Sequence, residues 1–317
     1  MGSSGMNRPD MSVDIAGIRM KNPVMVASGT FGYGPEYADL VDLNRLGAMV
    51  VKGILMEPWE GNPVPRHVEV PGGLVNAIGL QNPGVEKFIE EYMPFLRSYD
   101  LPVIVNVWGR TAEEYGDVAA RLSEVEGVSA LELNISCPNI KQGGIAFGTD
   151  PEQARKVIRL VRNRTPLPII PKLSPNVSDI GLFARAAEEE GANAVSLINS
   201  IPAMVIDVET RRPVLANEVG GLSGPAVHPV AVKMVRDAAR AVRIPVIGMG
   251  GISTPEDALE FIIAGASAVA VGTANFTDPL TVLRVIEGIE SYLARHGMAG
   301  VRELVGTLET ACDRKQD

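Results

Sequence analysis

The stretch from Val246 to Thr273, VIGMGGISTPEDALEFIIAGASAVAVGT, decides the fold. It opens on a short apolar run, Val246–Met249, and breaks at Gly250-Gly251. Thr254 then stands at an N-cap position with Pro255 behind it. That pairing starts helices: the hydroxyl accepts from a backbone N–H that has no partner, and proline has no N–H to leave unpaired. Apolar residues at helical spacing run to Ala264, and Gly265 supplies the stop. A second apolar run, Ala268–Val271, closes the unit before Gly272-Thr273. Neither run alternates polar with apolar, so both suit strands covered on two faces, as in a parallel sheet.

The same alternation recurs along the chain. Val24–Ala27, Ala48–Val51, Val103–Val107, Ala130–Leu133, Ile169–Leu173 and Ala194–Ile198 complete a set of eight short runs rich in Val, Ile, Leu and Ala. Segments of helical period lie between them. These are Thr111–Glu126, Pro151–Arg164 behind Asp150 as N-cap, and Ser178–Glu190, which opens on Ser178 and stops at Gly191. His228–Val242 places Val232, Val235, Ala239 and Val242 on one face, and Pro279–His296 closes the pattern. Eight strands alternating with helices predict an α/β fold, a (β/α)8 TIM barrel with loop insertions at its C-terminal face. The competing arrangement is an open doubly wound sheet, which usually carries a G-x-G-x-x-G turn after its first strand. Gly29–Gly34 (GTFGYG) has the wrong spacing for it. The long interruption from Gly53 to Leu101 reads as extra loops with one helix, Val85–Ser98. Met1–Gly5 (MGSSG) reads as a vector remnant. The expected organisation is a tag remnant and N-terminal tail at 1–11, a single barrel at 12–305 and a C-terminal tail at 306–317.

Composition narrows the function. The 317 residues carry a net charge of −9, the opposite of the basic stripe that nucleic acid or an anionic membrane surface requires. A hydrophobic share of 46% argues against disorder, and no apolar run reaches the ~20 residues a membrane span needs. The two cysteines, Cys137 and Cys312, cannot build a disulfide framework, a zinc site or an iron–sulfur cluster within one chain. His67, His228 and His296 lack metal-ligand spacing, so no metal is expected. A cytoplasmic location is the expectation.

In a barrel enzyme the site forms where strands end. Ser28 follows the first run and Lys52 the second, and Asn106 lies at the end of the third. Asn134, Ser136 and Cys137 follow the fourth, Lys172 ends the fifth, and Asn199 and Ser200 follow the sixth. Gly250-Gly251 and Gly272-Thr273 follow the seventh and eighth, where bare backbone N–H groups commonly hold a phosphate. Two lysines in one mouth suit an anion or an electron-rich ring. Cys137, in a polar and glycine-bearing loop, suits a thiolate base or nucleophile. Asn76, Asn106, Asn134, Asn139 and Asn199 each both donate and accept, which suits a ring with amide and imide edges.

Three segments carry a family resemblance: Asn134–Asn139 (NISCPN) continued as IKQGGIAFGTDP, Val75–Gly84 (VNAIGLQNPG) and Gly220–Ala226 (GGLSGPA). The chain resembles the dihydroorotate dehydrogenases from about Ser12 to Val305. It is similar to the soluble class 1 enzymes, in which the base is Cys, rather than to the membrane-associated class 2 enzymes, which use Ser there. The stretch Ala203–Ala216 (AMVIDVETRRPVLA) resembles the B-type catalytic subunit. The resemblance implies FMN held by Ser28, Lys52, Gly53, Asn106, Asn134, Lys172, Ile198, Gly224, Gly250, Gly251, Gly272 and Thr273. It implies a substrate site of Lys52, Asn76, Ala77, Ile78, Gly79, Leu80, Asn134, Asn139, Asn199 and Ser200. Cys137 would take the proton from carbon 5 of dihydroorotate while hydride leaves carbon 6 for the flavin, and Lys172 would stabilise charge on the reduced ring. Where B-type chains often have Asn-Thr, this one has Asn199-Ser200, which keeps the hydroxyl.

The B type further implies a partner subunit with FAD and [2Fe-2S] that passes electrons to NAD+, and a homodimer of this chain within a heterotetramer. The cysteine count agrees, since this chain cannot ligate a cluster itself. An A-type enzyme using fumarate, a dihydropyrimidine dehydrogenase-like barrel and a non-redox phosphosugar barrel enzyme are the alternatives. The last leaves Cys137 and the asparagines without a role.

Overall fold

The computed structural model describes residues 8–136 and 144–310. Eight parallel strands form one sheet: β1 (Val24–Val26), β2 (Ala48–Ile54), β3 (Val103–Val107), β4 (Val128–Leu133), β5 (Ile169–Pro171), β6 (Val195–Leu197), β7 (Val246–Met249) and β8 (Ala268–Val271). Their spatial order is β6-β7-β8-β1-β2-β3-β4-β5. The ends meet where Asn193 N donates to Ile169 O at 2.9 Å and Leu173 N to Ser196 O at 2.8 Å. The expected (β/α)8 barrel is therefore what forms, each strand feeding the next through a crossover.

Strand burial explains why these runs look uniformly apolar. In β1, β5, β6, β7 and β8 every residue is buried, with one face toward the barrel axis and the other under the helices. Phe261 shows how tightly the layers meet. Its ring lies under Gly248 of β7, where a Cβ would come within 2.7 Å of Cδ1.

The helices follow their sequence signals with local shifts. Thr111, Asp150 and Thr254 cap Ala112–Ser123, Pro151–Arg162 and Pro255–Ala264, each side chain accepting from a first-turn N–H. The next helix, Ile180–Glu189, is capped by Asp179 and not by Ser178, because the Asp179 carboxylate reaches Leu182 N. In His228–Ala241 the fully buried line is Ala231, Val235 and Ala238. Val232, Ala239 and Val242 are only half-buried, so the inward face lies slightly round from the one expected. The helix expected at Pro279 begins at Thr281, since Asp278 turns the chain by accepting from Leu280 N. The run Val85–Leu96 widens to π geometry at Phe88–Tyr92, just ahead of Pro94. Proline cannot donate to the preceding turn, and a widened turn absorbs the missing bond.

Two corrections bear on the site. Pairing in β2 outlasts its apolar run: Ile54 still pairs with Val107 after an irregularity, so Lys52 and Gly53 lie inside the strand and not after it. The insertion after β2 is not merely loops and a helix. His67–Val70 and Gly73–Asn76 form a hairpin that joins Ile201–Met204 and Val219–Ser223, from the loop after β6, in a four-stranded antiparallel sheet. Both contributions leave C-terminal strand ends, so this sheet roofs the barrel mouth. Val75, Ala77 and Leu215 form its small separate core. Residues 8–11 and 299–301 are tied together, with Asp10 N donating to Ala299 O and Val301 N to Asp10 O. No helix among the described residues is long and apolar enough to cross a membrane.

Candidate active site

Strand register gathers four polar side chains inside the barrel. Asn106 on β3 pairs with Glu132 on β4, and Lys172, just past β5, pairs with Ser196 on β6. All four are buried. Glu132 Oε1 accepts from Asn106 Nδ2 at 2.6 Å and Oε2 from Ser196 Oγ at 2.9 Å. Lys172 Nζ lies 3.8 Å from Glu132 Oε1 and donates to Ser28 Oγ at 3.3 Å. A carboxylate oxygen 2.6 Å away fixes how the Asn106 amide faces, because only the NH2 can meet an acceptor. Asn106 Oδ1 is left buried and without a partner among the described residues, as is Trp108 Nε1. Gly53 keeps the space beside them open: a Cβ there would lie 2.8 Å from Oδ1 and 3.5 Å from Trp108 Cδ1.

A second group lies after β4 and β6. Tyr115 Oη donates to the Asn134 carbonyl at 2.8 Å, holding the start of the loop. Asn199 Nδ2 donates to Ser136 Oγ at 3.0 Å and to Asn134 Oδ1 at 3.4 Å, while Asn199 Oδ1 accepts from Ser200 N at 2.8 Å. Ile198 is buried beside them, its N donating to Met249 O. Cys137 and Asn139 fall within 137–143, outside the described residues, and Cys312 lies outside them as well.

Residues 76–80 come in from the roof. Asn76 Nδ2 donates to Gly221 O at 3.3 Å and Ala77 N to Arg66 O at 2.7 Å. Asn62 N and Trp59 Nε1 donate to the carbonyls of Ile78 and Gly79, each at 3.0 Å. Gly79 and Leu80 both take positive φ, 76° and 59°, which turns the segment sharply. Lys52 is half-buried, and burial pushes its ammonium below the usual lysine value. Arg66 adds to that shift and Glu36 opposes it. A partly dehydrated cation of this kind favours an anionic ligand.

The glycines converge on one place. Gly251 takes φ 74°, and a Cβ on it would meet Gly224 O and His228 Cβ, each at 2.8 Å. Gly224 itself takes φ 98° at the end of the roof. Thr273, next to Gly272, donates from Oγ1 to Ser223 Oγ at 2.8 Å. Ahead of the helix Pro255–Ala264, Ser253 N and Thr254 N both donate to the Asp257 carboxylate, and Asp257 N donates to Thr254 Oγ1 in the first turn. The loop backbone, more than that helix end, is what remains for an anion.

These features fit a flat heteroaromatic group with a phosphate tail. Polar atoms without partners lie beside an open strand glycine, a buried ammonium stands close by, and a side-chain-free cradle lies in the loops after β7 and β8. No group of three or more metal-ligating side chains occurs among the described residues.

The family model for dihydroorotate dehydrogenase matches residues 10–293. The chain belongs to the dihydroorotate dehydrogenase family. It is 58% identical over 304 residues to dihydroorotate dehydrogenase B (NAD(+)), catalytic subunit, of Citrifermentans bemidjiense, covering 96% of this chain and all of the relative. The protein of the same name from Geotalea uraniireducens is 57% identical over 305 residues, with 96% and 100% covered. That from Thermoanaerobacter pseudethanolicus is 53% identical over 300 residues, with 95% and 99% covered.

Within this family site, the sequence reading passed over Glu132, Ser196 and Trp108. The signal for Glu132 was available: a single carboxylate inside Ala130–Leu133 (ALEL), a run too apolar to carry one unless something inside the barrel needs it.

Proposed function

We propose that this chain is the catalytic subunit of an NAD+-linked dihydroorotate dehydrogenase, oxidising (S)-dihydroorotate to orotate in pyrimidine biosynthesis. The observation that carries the reading is the buried Lys172–Glu132–Asn106 cluster, with an unpartnered Asn106 carbonyl beside the glycine of β2. Near full-length similarity to proteins named for that activity supports it.

The residues that would hold FMN are Ser28, Lys52, Gly53, Asn106, Asn134, Lys172, Ile198 and Gly224, with Gly250, Gly251, Gly272 and Thr273 around its phosphate. Bound FMN supplies a two-electron acceptor for the hydride that leaves carbon 6. Lys172, the buried cation of the cluster, would stabilise negative charge on the reduced ring. Lys52 meets the substrate carboxylate, and Asn76, Asn134, Asn139, Asn199 and Ser200 read the amide and imide edges of its ring. The backbone of Ala77, Ile78, Gly79 and Leu80 closes over it from the roof and keeps water out. Cys137, as thiolate, takes the proton from carbon 5. Loss of the proton from carbon 5 to the Cys137 sulfur and of a hydride from carbon 6 would leave the carbon 5–carbon 6 double bond of orotate.

A partner subunit carrying FAD and [2Fe-2S] would take the electrons on to NAD+, two such partners joining a homodimer of this chain. The name "catalytic subunit" on the relatives supports a separate electron-transfer subunit. An anaerobic visible spectrum of the purified chain tests the reading. A flavin band that bleaches on adding dihydroorotate, with no NADH formed from NAD+ until the partner is supplied, is the expected result. Bleaching by dihydrouracil alone, or no flavin after FMN is added back, would overturn it.

A further inference from the structure

We propose that Glu132 is a positioning residue: it fixes the Lys172 ammonium and, as its counter-charge, sets how readily the neighbouring flavin takes up electrons. The inference rests on the FMN reading above. Glu132 lies in β4, where every residue from Ala130 to Leu133 is buried. A lone carboxylate there would lose its hydration with nothing in return. Donors from three neighbouring strand ends meet it instead: Asn106 Nδ2 at 2.6 Å, Ser196 Oγ at 2.9 Å and Lys172 Nζ at 3.8 Å. Among the described residues it is the only carboxylate within ion-pair distance of Lys172. Ser28 Oγ is the second contact that holds the ammonium.

The pair has a consequence beyond packing. Lys172 favours negative charge on a flavin beside it, and Glu132 opposes that across the same ion pair. The balance lets electrons arrive without being held too tightly to leave. It also orients Asn106, whose amide is turned by the same carboxylate oxygen.

Sulfite tests this without turnover. Its sulfur lone pair bonds to flavin N5, both electrons come from sulfur, and negative charge collects on the N1–C2=O edge. Titrating the FMN-loaded chain with sulfite and following loss of the visible band gives a Kd. E132Q, neutral and nearly isosteric, should tighten sulfite binding by about tenfold, since unit charges a few Å apart interact at least that strongly inside a protein. K172M should weaken it. Comparing E132Q in the wild-type and K172M backgrounds measures how strongly the two charges act through each other. E132D, which keeps the charge, should return toward the wild-type value.

If E132Q does not fold, S196A serves instead. It withdraws one donor and concentrates charge on the carboxylate, so sulfite binding should weaken by roughly threefold. Thermal unfolding of the flavin-free chain runs in parallel. A loss of stability in E132Q with sulfite affinity unchanged would assign Glu132 a purely structural role and overturn the inference alone. A wild-type chain that takes up no FMN would overturn the function itself, and the inference with it.

Discussion

Asn199, in the loop after β6, donates from Nδ2 to the hydroxyl of Ser136 at 3.0 Å, tying two loops that leave different strands. That bond sets the spacing between Ser136 and Asn199, on the loops after β4 and β6. Asn199→Ala, which removes the hydrogen bonds of a half-buried amide, should raise KM for dihydroorotate by several-fold up to about tenfold, since each such bond is worth roughly 0.5–1.5 kcal/mol. Steady-state kinetics on folded, FMN-loaded variant check it, and an unchanged KM would remove Asn199 from the substrate site.

Lys52 gives a pH dependence. Its folded-state pKa is depressed by burial, so the ammonium is lost at lower pH than in an ordinary lysine. Orotate affinity should fall as pH rises through that depressed value and be flat below it. Lys52→Met should lose about tenfold or more in orotate affinity at neutral pH and lose the alkaline pH dependence as well. The sign for stability is the reverse. In the ligand-free chain the buried charge costs stability in full below the depressed pKa, and the cost fades as pH approaches the ordinary value of 10.5. The ligand-free Lys52→Met chain should therefore melt higher than wild type near neutral pH, and the two should converge at high pH. Calorimetry across that range reads both.

Cys137 is the proposed base. Cys137→Ala should keep FMN and lose dihydroorotate oxidation by a factor on the order of 10²–10⁴, the usual worth of a positioned base. Cys137→Ser should recover activity only at higher pH, since a hydroxyl is a far weaker acid than a thiol. A pH profile for Cys137→Ser that matched wild type would refute the assignment.

Gly251 has no room for a side chain. Gly251→Ala forces a Cβ against Gly224 O and His228 Cβ at a backbone angle that L residues rarely adopt. FMN should bind at least tenfold more weakly, a loss of about 1.4 kcal/mol or more. Fluorescence titration of the flavin-free chain measures it.

Gly248 tests the barrel itself. Gly248→Ala pushes a methyl into the Phe261 ring and should cost about 1–3 kcal/mol of stability through overpacking, read as a lower urea midpoint with activity per folded molecule kept.

The barrel was legible because its punctuation is local. Thr254-Pro255 and Gly265 bracket one helix, and the apolar runs on either side are covered on both faces, so hydropathy alone marks them. The roof was not legible. Its strands are four or five residues long, and the pairing that joins its two halves, Asn76 with Gly221, is far apart in sequence, so the hydropathy period does not identify the sheet. The position of Lys52 was misjudged for a related reason: hydropathy stops at Val51 while hydrogen bonding continues to Ile54. Candidate residues at strand ends can be picked out by counting along the chain. Glu132 shows in the sequence only as a carboxylate out of place in an apolar run, and its role appears only when β3, β5 and β6 bring donors around it.

The roof also has a place in the order of folding. Asn76 and Gly221, which pair within it, are 145 residues apart, and β3 to β6 all lie between them in the chain. Closing so long a loop before those strands have assembled would cost chain entropy with few contacts in return. Pairing across the roof therefore depends on contacts that bring those intervening strands together. Both halves of the roof precede β7 and β8 in the chain, so in a chain emerging from synthesis they are present before the barrel can close.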